Sequence, residues 1–471
     1  MMNKTKATLL IQFALLLSFT SLLADVKLPA IFADNMVLQQ QSEVAIWGKA
    51  KANAKVKLTT SWNKESYNVT TTSDGSWKVK VATPKAGGPY QININDGKTI
   101  TLKGVLIGEV WVCSGQSNME MPMKGFRNQA VSGSAAAIAF SENPQIRLFT
   151  VKKSKSLTPL NDFDAQWSLC EPESVNNFSA VAYYYGLMLH KKLQVPIGLI
   201  QATWGGTRIE PWISEMGVKN FDWLKLPEEK PVDNLSQQTP TVLFNAMINP
   251  MVGYGIKGAI WYQGESNRKE YVEYEKLMPG LINDWRSAWN VGDFSFYYVQ
   301  IAPYNYKTTT ANSAYLREAQ LKASTSLPNI GMASILDIGD EAFIHAPNKE
   351  TVGQRLAFMA LEKTYGVKGI QSGSPVLKEM KIADAKAMLT FSNAPLGLTS
   401  YGKKLLNFEI AGADQKYYPA DAVLTNIGVD VSSSLVKEPV AVRYAFKDFV
   451  IGDLFGLNGF PVSSFRTDNW N

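Results

Sequence analysis

The chain has 471 residues, 45% hydrophobic and 19% charged, a globular balance that excludes a disordered, collagen-like or coiled-coil protein. At about 100–200 residues per domain, the length predicts two to four domains. The formal charge of +6 is spread thinly, without a block of like charges, so nothing suggests a nucleic-acid partner.

Lys4 and Lys6 open a basic start, and Leu9 to Leu23 is an apolar run broken only by Gln12, Ser18, Thr20 and Ser21. Ala24 before Asp25 offers a cleavage point. This pattern predicts a secretory signal over residues 1–24, too short to span a bilayer comfortably. No comparable apolar run follows, so the mature protein is expected to be soluble, without a membrane span, and periplasmic if the source is bacterial.

Residues 25–104 read as short β-branched or aromatic strands: Val44–Trp47, Lys55–Thr60, Tyr67–Thr72, Ser76–Val81, Tyr90–Asn95 and Thr99–Lys103. Turn residues separate them at a spacing near ten, which predicts an N-terminal β-sandwich. From 105 to 371, strands alternate with helical patterns. The strands are Glu109–Cys113, Gln145–Val151, Ile197–Ala202, Gly258–Tyr262, Ser295–Ile301 and Ile330–Leu336; the helices are Ala180–Leu193, Tyr271–Trp289 and Asn348–Tyr365. This alternation predicts an α/β domain with a parallel sheet covered on both faces. From 372 to 471 the β rhythm returns, with Ala387–Phe391, Phe408–Ile410, Gly428–Val431 and Ala441–Tyr444. A C-terminal β domain is expected there.

Gly253, Gly255 and Gly258 match a dinucleotide fingerprint literally. They precede a strand instead of following one, so nucleotide binding is not expected. Cys113 and Cys170 could pair in an oxidising compartment or remain buried thiols. Only two histidines occur, His190 and His345, which excludes HExxH and multi-histidine metal sites within the chain. His190 ends a helix beside Lys191 and Lys192, where a cation is favourable in itself.

Ligands of open parallel sheets sit at the carboxyl ends of the strands. Ser114-Gly115-Gln116-Ser117-Asn118-Met119 follows Glu109–Cys113, and Trp204-Gly205-Gly206-Thr207-Arg208 follows Ile197–Ala202. Gln263-Gly264-Glu265-Ser266-Asn267 follows Gly258–Tyr262, and Asp337, Asp340 and His345 follow Ile330–Leu336. A hydroxyl, glycines, an amide, carboxylates and an imidazole together are the inventory for acyl transfer by a serine nucleophile. No metal or cofactor is called for.

These blocks, with Asp34-Asn35-Met36-Val37-Leu38-Gln39, Asn348-Lys349 and Phe465-Arg466-Thr467-Asp468, resemble the sialate O-acetylesterase family of the SGNH hydrolase superfamily. The resemblance implies a flavodoxin-like α/β/α core with flanking N- and C-terminal β regions. It implies Ser117 as nucleophile and His345 as base, with an oxyanion hole of Ser117, Gly206 and Gln263. The superfamily often places an acid two or three residues before the histidine; here Phe343 and Ala342 stand there. Glu265 is the favoured third member, by resemblance to related carbohydrate acetylesterases, with Asp340 and Asp337 as alternatives.

The implied partner is an acetylated carbohydrate, and the implied activity is serine-esterase removal of O-acetyl groups from sialic acids. Acetylated xylan or xyloglucan, or glycan binding without catalysis, are the alternatives. Arg208 could meet a sialic acid carboxylate, or pair internally with Glu210; Asn118 and Trp204 are further substrate-binding candidates. An ordinary histidine near 6.5 predicts hydrolysis that fades below about pH 6.

Overall fold

The computed structural model describes residues 26–227, 235–307 and 312–470. The expected signal segment, 1–24, lies outside the described residues.

The central sheet contains β1 (Thr99–Gly115), β2 (Asn143–Thr150), β3 (Trp167–Cys170), β4 (Ile197–Thr203), β5 (Gly258–Tyr262), β6 (Ser295–Val299) and β7 (Ile330–Ala333). Their spatial order is β7-β6-β5-β1-β4-β2-β3. All neighbouring pairs are parallel except β2 with β3. From β1 the chain passes to β2 and the edge strand β3, returns to place β4 beside β1, then crosses to β5 on the other side and continues out to β7. β1 is therefore the topological switch point, where an open α/β sheet forms its ligand crevice.

Four helices flank this sheet: α1 (Ala180–Leu193), α2 (Tyr271–Trp289), α3 (Ala314–Ala323) and α4 (Lys349–Met359). Alternation along β1 serves both faces. Val110 and Val112 join the core containing Leu277, Leu281 and Trp285 of α2. Trp111 and Cys113 join the core containing Val181, Tyr185 and Leu356 of α1 and α4. Full burial of such side chains stabilises by about 1.5–3 kcal/mol each. Backbones meet where α1 crosses α4: a Cβ at Gly353 would stand 2.7 Å from the Val181 carbonyl oxygen.

The expected flavodoxin-like core with flanking β regions is what the structure contains. The junction expected at 104/105 falls inside β1, whose first half pairs with Gly87–Asn95 before its second half enters the parallel sheet. Gly104 bends this strand at φ 65° without ending it. N-terminal β residues such as Val44, Ile46 and Ile92 also share a hydrophobic core with Val110 and Trp285.

The C-terminal β region has a core of its own, including Leu389, Phe408, Val431 and Tyr444. It seats on α3. The Arg317 guanidinium donates to Ser464 Oγ at 3.1 Å, and Arg466 pairs with Glu318 at 3.1 Å. Helix α3 is absent from the sequence expectation. The predicted helix 348–365 divides into α4 and a π turn over Ala360–Thr364. Cys113 and Cys170 are buried free thiols, and burial pushes the Cys170 thiol up to about 12. No helix among the described residues is long and apolar enough to cross a membrane.

Candidate active site

Ser117 leaves the end of β1 as the first residue of a short helical turn, Ser117–Glu120. It is half-buried, and its hydroxyl bonds to no described residue. Its N–H, at the first helical position, has no carbonyl one turn back. Gly205, beyond β4, lies against it: a Cβ there would stand 3.2 Å from Ser117 Cβ. The Gly205 N–H donates to the Glu120 carboxylate, whose other oxygen pairs with Lys153 at 2.6 Å. The exposed Gly206 has φ 74°, and its carbonyl accepts from Gln238 Nε2 at 2.6 Å. The Gly206 N–H meets no acceptor among the described residues. Ser117 and Gly206 thus retain free N–H groups.

Gln263 corrects the expectation. Its side chain is fully buried, and its amide nitrogen donates to Thr207 O at 3.1 Å and Asn267 Oδ1 at 2.7 Å. Its Oε1 accepts from the Tyr274 hydroxyl at 3.0 Å. An amide with both N–H groups committed cannot also serve an oxyanion. Gln263 instead braces the loop that carries Gly205 and Gly206 against β5.

Glu265 also departs from its expected role. Its Oε1 accepts from Asn118 Nδ2 at 2.5 Å, while Oε2 is buried without a hydrogen-bond partner. It makes no hydrogen bond to His345. Burial raises its pKa, against the opposing pull of Asn118 and Lys349. Asn118 is the hub: Nδ2 also donates to the Ile344 carbonyl at 3.1 Å, and Oδ1 accepts from Lys349 Nζ at 2.5 Å. Lys349 is fully buried, and burial pushes its ammonium down to about 7 although Glu265 favours the charged form.

The His345 Nδ1 is hydrogen-bonded to Gln129 Oε1, and Phe126 meets the ring edge-on with centroids 5.1 Å apart. Nε2 bonds to no described residue. Burial, followed by repulsion from Lys349, lowers the imidazole to about 4. The histidine borders a pocket of about 250 Å³ with Asn128, Gln129, Asp340 and Phe343.

The alternative acids are engaged elsewhere. Asp337 forms a bidentate pair with Arg355 at 2.7 Å, far better matched geometrically than an imidazole. Asp340 Oδ1 accepts from the N–H groups of Ala342 and Phe343 at 2.8 and 2.9 Å, and it makes no hydrogen bond to His345. Arg208 pairs with Glu210 at 3.0 Å and Glu270 at 3.3 Å, which is the internal alternative. Trp204 is half-buried with Lys153 Nζ 5.9 Å from its ring centroid. His190 Nδ1 bonds Val195 O at 2.8 Å at the end of α1.

Residues 107–362 match the family model described as carbohydrate esterase, sialic acid-specific acetylesterase. The sialate O-acetylesterase of Mus musculus is 31% identical over 494 residues, covering 88% of this chain and 89% of that protein. The Homo sapiens enzyme is 30% identical over 395 residues, covering 76% of this chain and 75% of its own. The chain belongs to this carbohydrate esterase family. A solved carbohydrate acetylesterase from Xanthomonas citri superposes with a TM-score of 0.87 at 34% identity, covering 94% of this chain and all of that one.

This esterase is thus a carboxylic-ester hydrolase by family, and two parts of its site escaped sequence reasoning. Gln129 sits in an irregular loop that carries no periodic signal. Lys349 had a signal: a cation at the first position of a helix opposes the helix dipole and needs another reason to be there.

Proposed function

We propose that this esterase removes O-acetyl groups from sialic acids through an acetyl-enzyme formed on Ser117. The mechanistic half rests on Asn118. The residue after Ser117 donates to the carbonyl next to His345, tying the serine turn and the histidine loop together.

In the proposed cycle, Ser117 Oγ attacks the acetyl carbonyl and passes its proton to His345 Nε2. The N–H groups of Ser117 and Gly206 receive the oxyanion; one such donor lowers a barrier by about 3–4 kcal/mol. Collapse expels the sugar hydroxyl, which takes the proton from His345. Water then attacks the acetyl-enzyme with the same base, releasing acetate and regenerating Ser117. Burial suits His345 to this work, because it holds the ring neutral and ready to accept a proton.

The sialate assignment draws support from curated relatives that match over most of their length. A second reading, a neutral acetylated plant glycan such as xylan or xyloglucan, is favoured by Arg208. Two carboxylates already neutralise that guanidinium, leaving no free cation there for a sialic acid carboxylate. Export is also part of the proposal and rests on residues 1–24 alone, with the periplasm as the site if the source is bacterial.

Acetate release from acetylated sialoglycan and acetylated xylan, by wild type, Ser117→Ala and His345→Ala, tests both halves. Release from sialoglycan that both substitutions abolish is the expected result. Faster release from xylan would replace the substrate and keep the mechanism. Undiminished release by Ser117→Ala would refute the mechanism.

A further inference from the structure

None of the carboxylates expected to orient His345 is hydrogen-bonded to it. Asp337 belongs to Arg355, Glu265 to Asn118, and Asp340 Oδ1 to two backbone N–H groups. Phe343 occupies the position two residues before the histidine, and its side chain is exposed. An imidazole acting as base needs its second nitrogen held, because the hydrogen bond at Nδ1 fixes the tautomer and aims Nε2. In this structure the group at Nδ1 is the side-chain oxygen of Gln129.

The segment carrying Gln129 is built to hold it there. It follows directly from the Ser117 turn. The Gly125 N–H closes a turn onto Pro122 O at 2.7 Å, and the Gln129 N–H closes the next onto Phe126 O at 3.0 Å. Phe126 packs edge-on against the imidazole that Gln129 bonds. The Ser132 N–H then reaches Pro347 O at 2.9 Å, fastening the far end of the segment to the histidine loop. The Gln129 amide and the His345 ring are therefore held between two anchored strands of chain.

We infer that Gln129 is the positioning residue of the catalytic histidine, occupying with a neutral amide oxygen the place a carboxylate takes in a Ser-His-acid triad. The inference rests on the proposed roles of Ser117 and His345. With Gln129 Oε1 accepting, the ring proton resides on Nδ1 and the lone pair on Nε2. The amide supplies orientation without charge. The imidazolium formed as Ser117 attacks then lacks an ion-pair partner at Nδ1, and the charged groups around it are Lys349 on its C-terminal side and Asp340 across the pocket.

The test uses Gln129→Leu and Gln129→Glu in the full chain, with kcat and KM for acetate release measured from pH 4 to 8. Gln129→Leu removes the acceptor at similar size, and kcat is expected to fall tenfold or more with KM little changed. Gln129→Glu restores an acceptor and adds a charge. It should retain activity on the plateau and move the acid limb upward by about one to three pH units, the usual effect of an adjacent opposite charge. Nitrogen-15 spectra of the two histidines should show the Nδ1–H tautomer for His345 in wild type and lose it in Gln129→Leu.

A kcat for Gln129→Leu within tenfold of wild type would overturn the inference. So would an unmoved acid limb, or an inactive Gln129→Glu, since a merely structural residue gives the same loss with either substitution. Ser117→Ala separates the two levels. If it retains activity, the serine mechanism itself fails; if it is inert while the Gln129 variants behave like wild type, only the role of Gln129 fails.

Discussion

Acidification offers a quantitative test of how the site holds its base. Burial of His345, with Lys349 adding repulsion, lowers the imidazole from 6.5 to about 4. A lowered pKa means the neutral, proton-accepting form persists below the ordinary histidine range and is lost as pH falls through about 4. At pH 5 a group titrating near 4 is about 90% neutral, whereas one near 6.5 is only about 3% neutral. The structure therefore predicts roughly thirty times more activity at pH 5 than an exposed histidine would permit. Initial rates of acetate release should be read from pH 4 to 8 at constant ionic strength, with circular dichroism confirming the fold at each pH. The expected kcat/KM is nearly flat from pH 8 to 5 and declines only below that. A midpoint near 6.5, with a few per cent of the plateau left at pH 5, would refute the reasoning. Lys349→Met tests the second cause: removing the ammonium should raise the midpoint, by less than the effect of burial.

Further outcomes follow from the same contacts. Lys349→Met also removes the donor to the buried Asn118 Oδ1 and the cation that opposes the burial of Glu265, and should lower stability by about 1–3 kcal/mol, read as a shift in the urea midpoint. Gln263→Leu strands the buried Thr207 carbonyl and removes one bond each from Asn267 Oδ1 and the Tyr274 hydroxyl, which keep Ile209 N–H and the Gln263 carbonyl as partners; it should cost about 1–3 kcal/mol of stability, whereas a lost oxyanion donor would reduce kcat with an unchanged urea midpoint. Gly205→Ala places a methyl 3.2 Å from Ser117 Cβ and 3.3 Å from Glu120. It should reduce kcat by about tenfold or more through displacement of the serine while barely moving the thermal midpoint, which kinetics and calorimetry on one sample can check.

The sequence made the skeleton legible where periodicity and burial agree. Helix Ala180–Leu193, helix Tyr271–Trp289 and strand Gly258–Tyr262 have the bounds that their patterns predict. The strand-end blocks carrying Ser117 and the Gly205-Gly206 pair were also legible, because chemistry in a parallel sheet gathers at those ends. β1 was harder: Gly104 looks like a boundary in sequence, but only pairing with a distant strand shows that the chain runs on. Helix α3 was missed because its buried face is partly polar, with Arg317 and Gln320 bonded to neighbours that lie far along the chain.

The partners of individual side chains were least legible. Glu265 and Gln263 stand beside each other in one block, and nothing local tells that one faces Asn118 and the other Tyr274. Arg208 is the contrary case, since Glu210 two residues on already offered the partner it takes. The low His345 pKa was invisible as well. It arises from burial under Phe126 and proximity to Lys349, whereas an ordinary histidine would lose activity below about pH 6. Gln129 lies 216 residues from its imidazole partner, in a segment without a repeating pattern, so only the folded chain brings the two together.

Peptide mapping after inactivation by a serine-directed phosphonate reads out whether Ser117 is the nucleophile. Acetate release is expected to fall in step with modification of Ser117, with modification slowed strongly in His345→Ala and abolished in Ser117→Ala. Complete inactivation without phosphonate on Ser117, or continued acetate release from a fully Ser117-modified enzyme, would contradict that role.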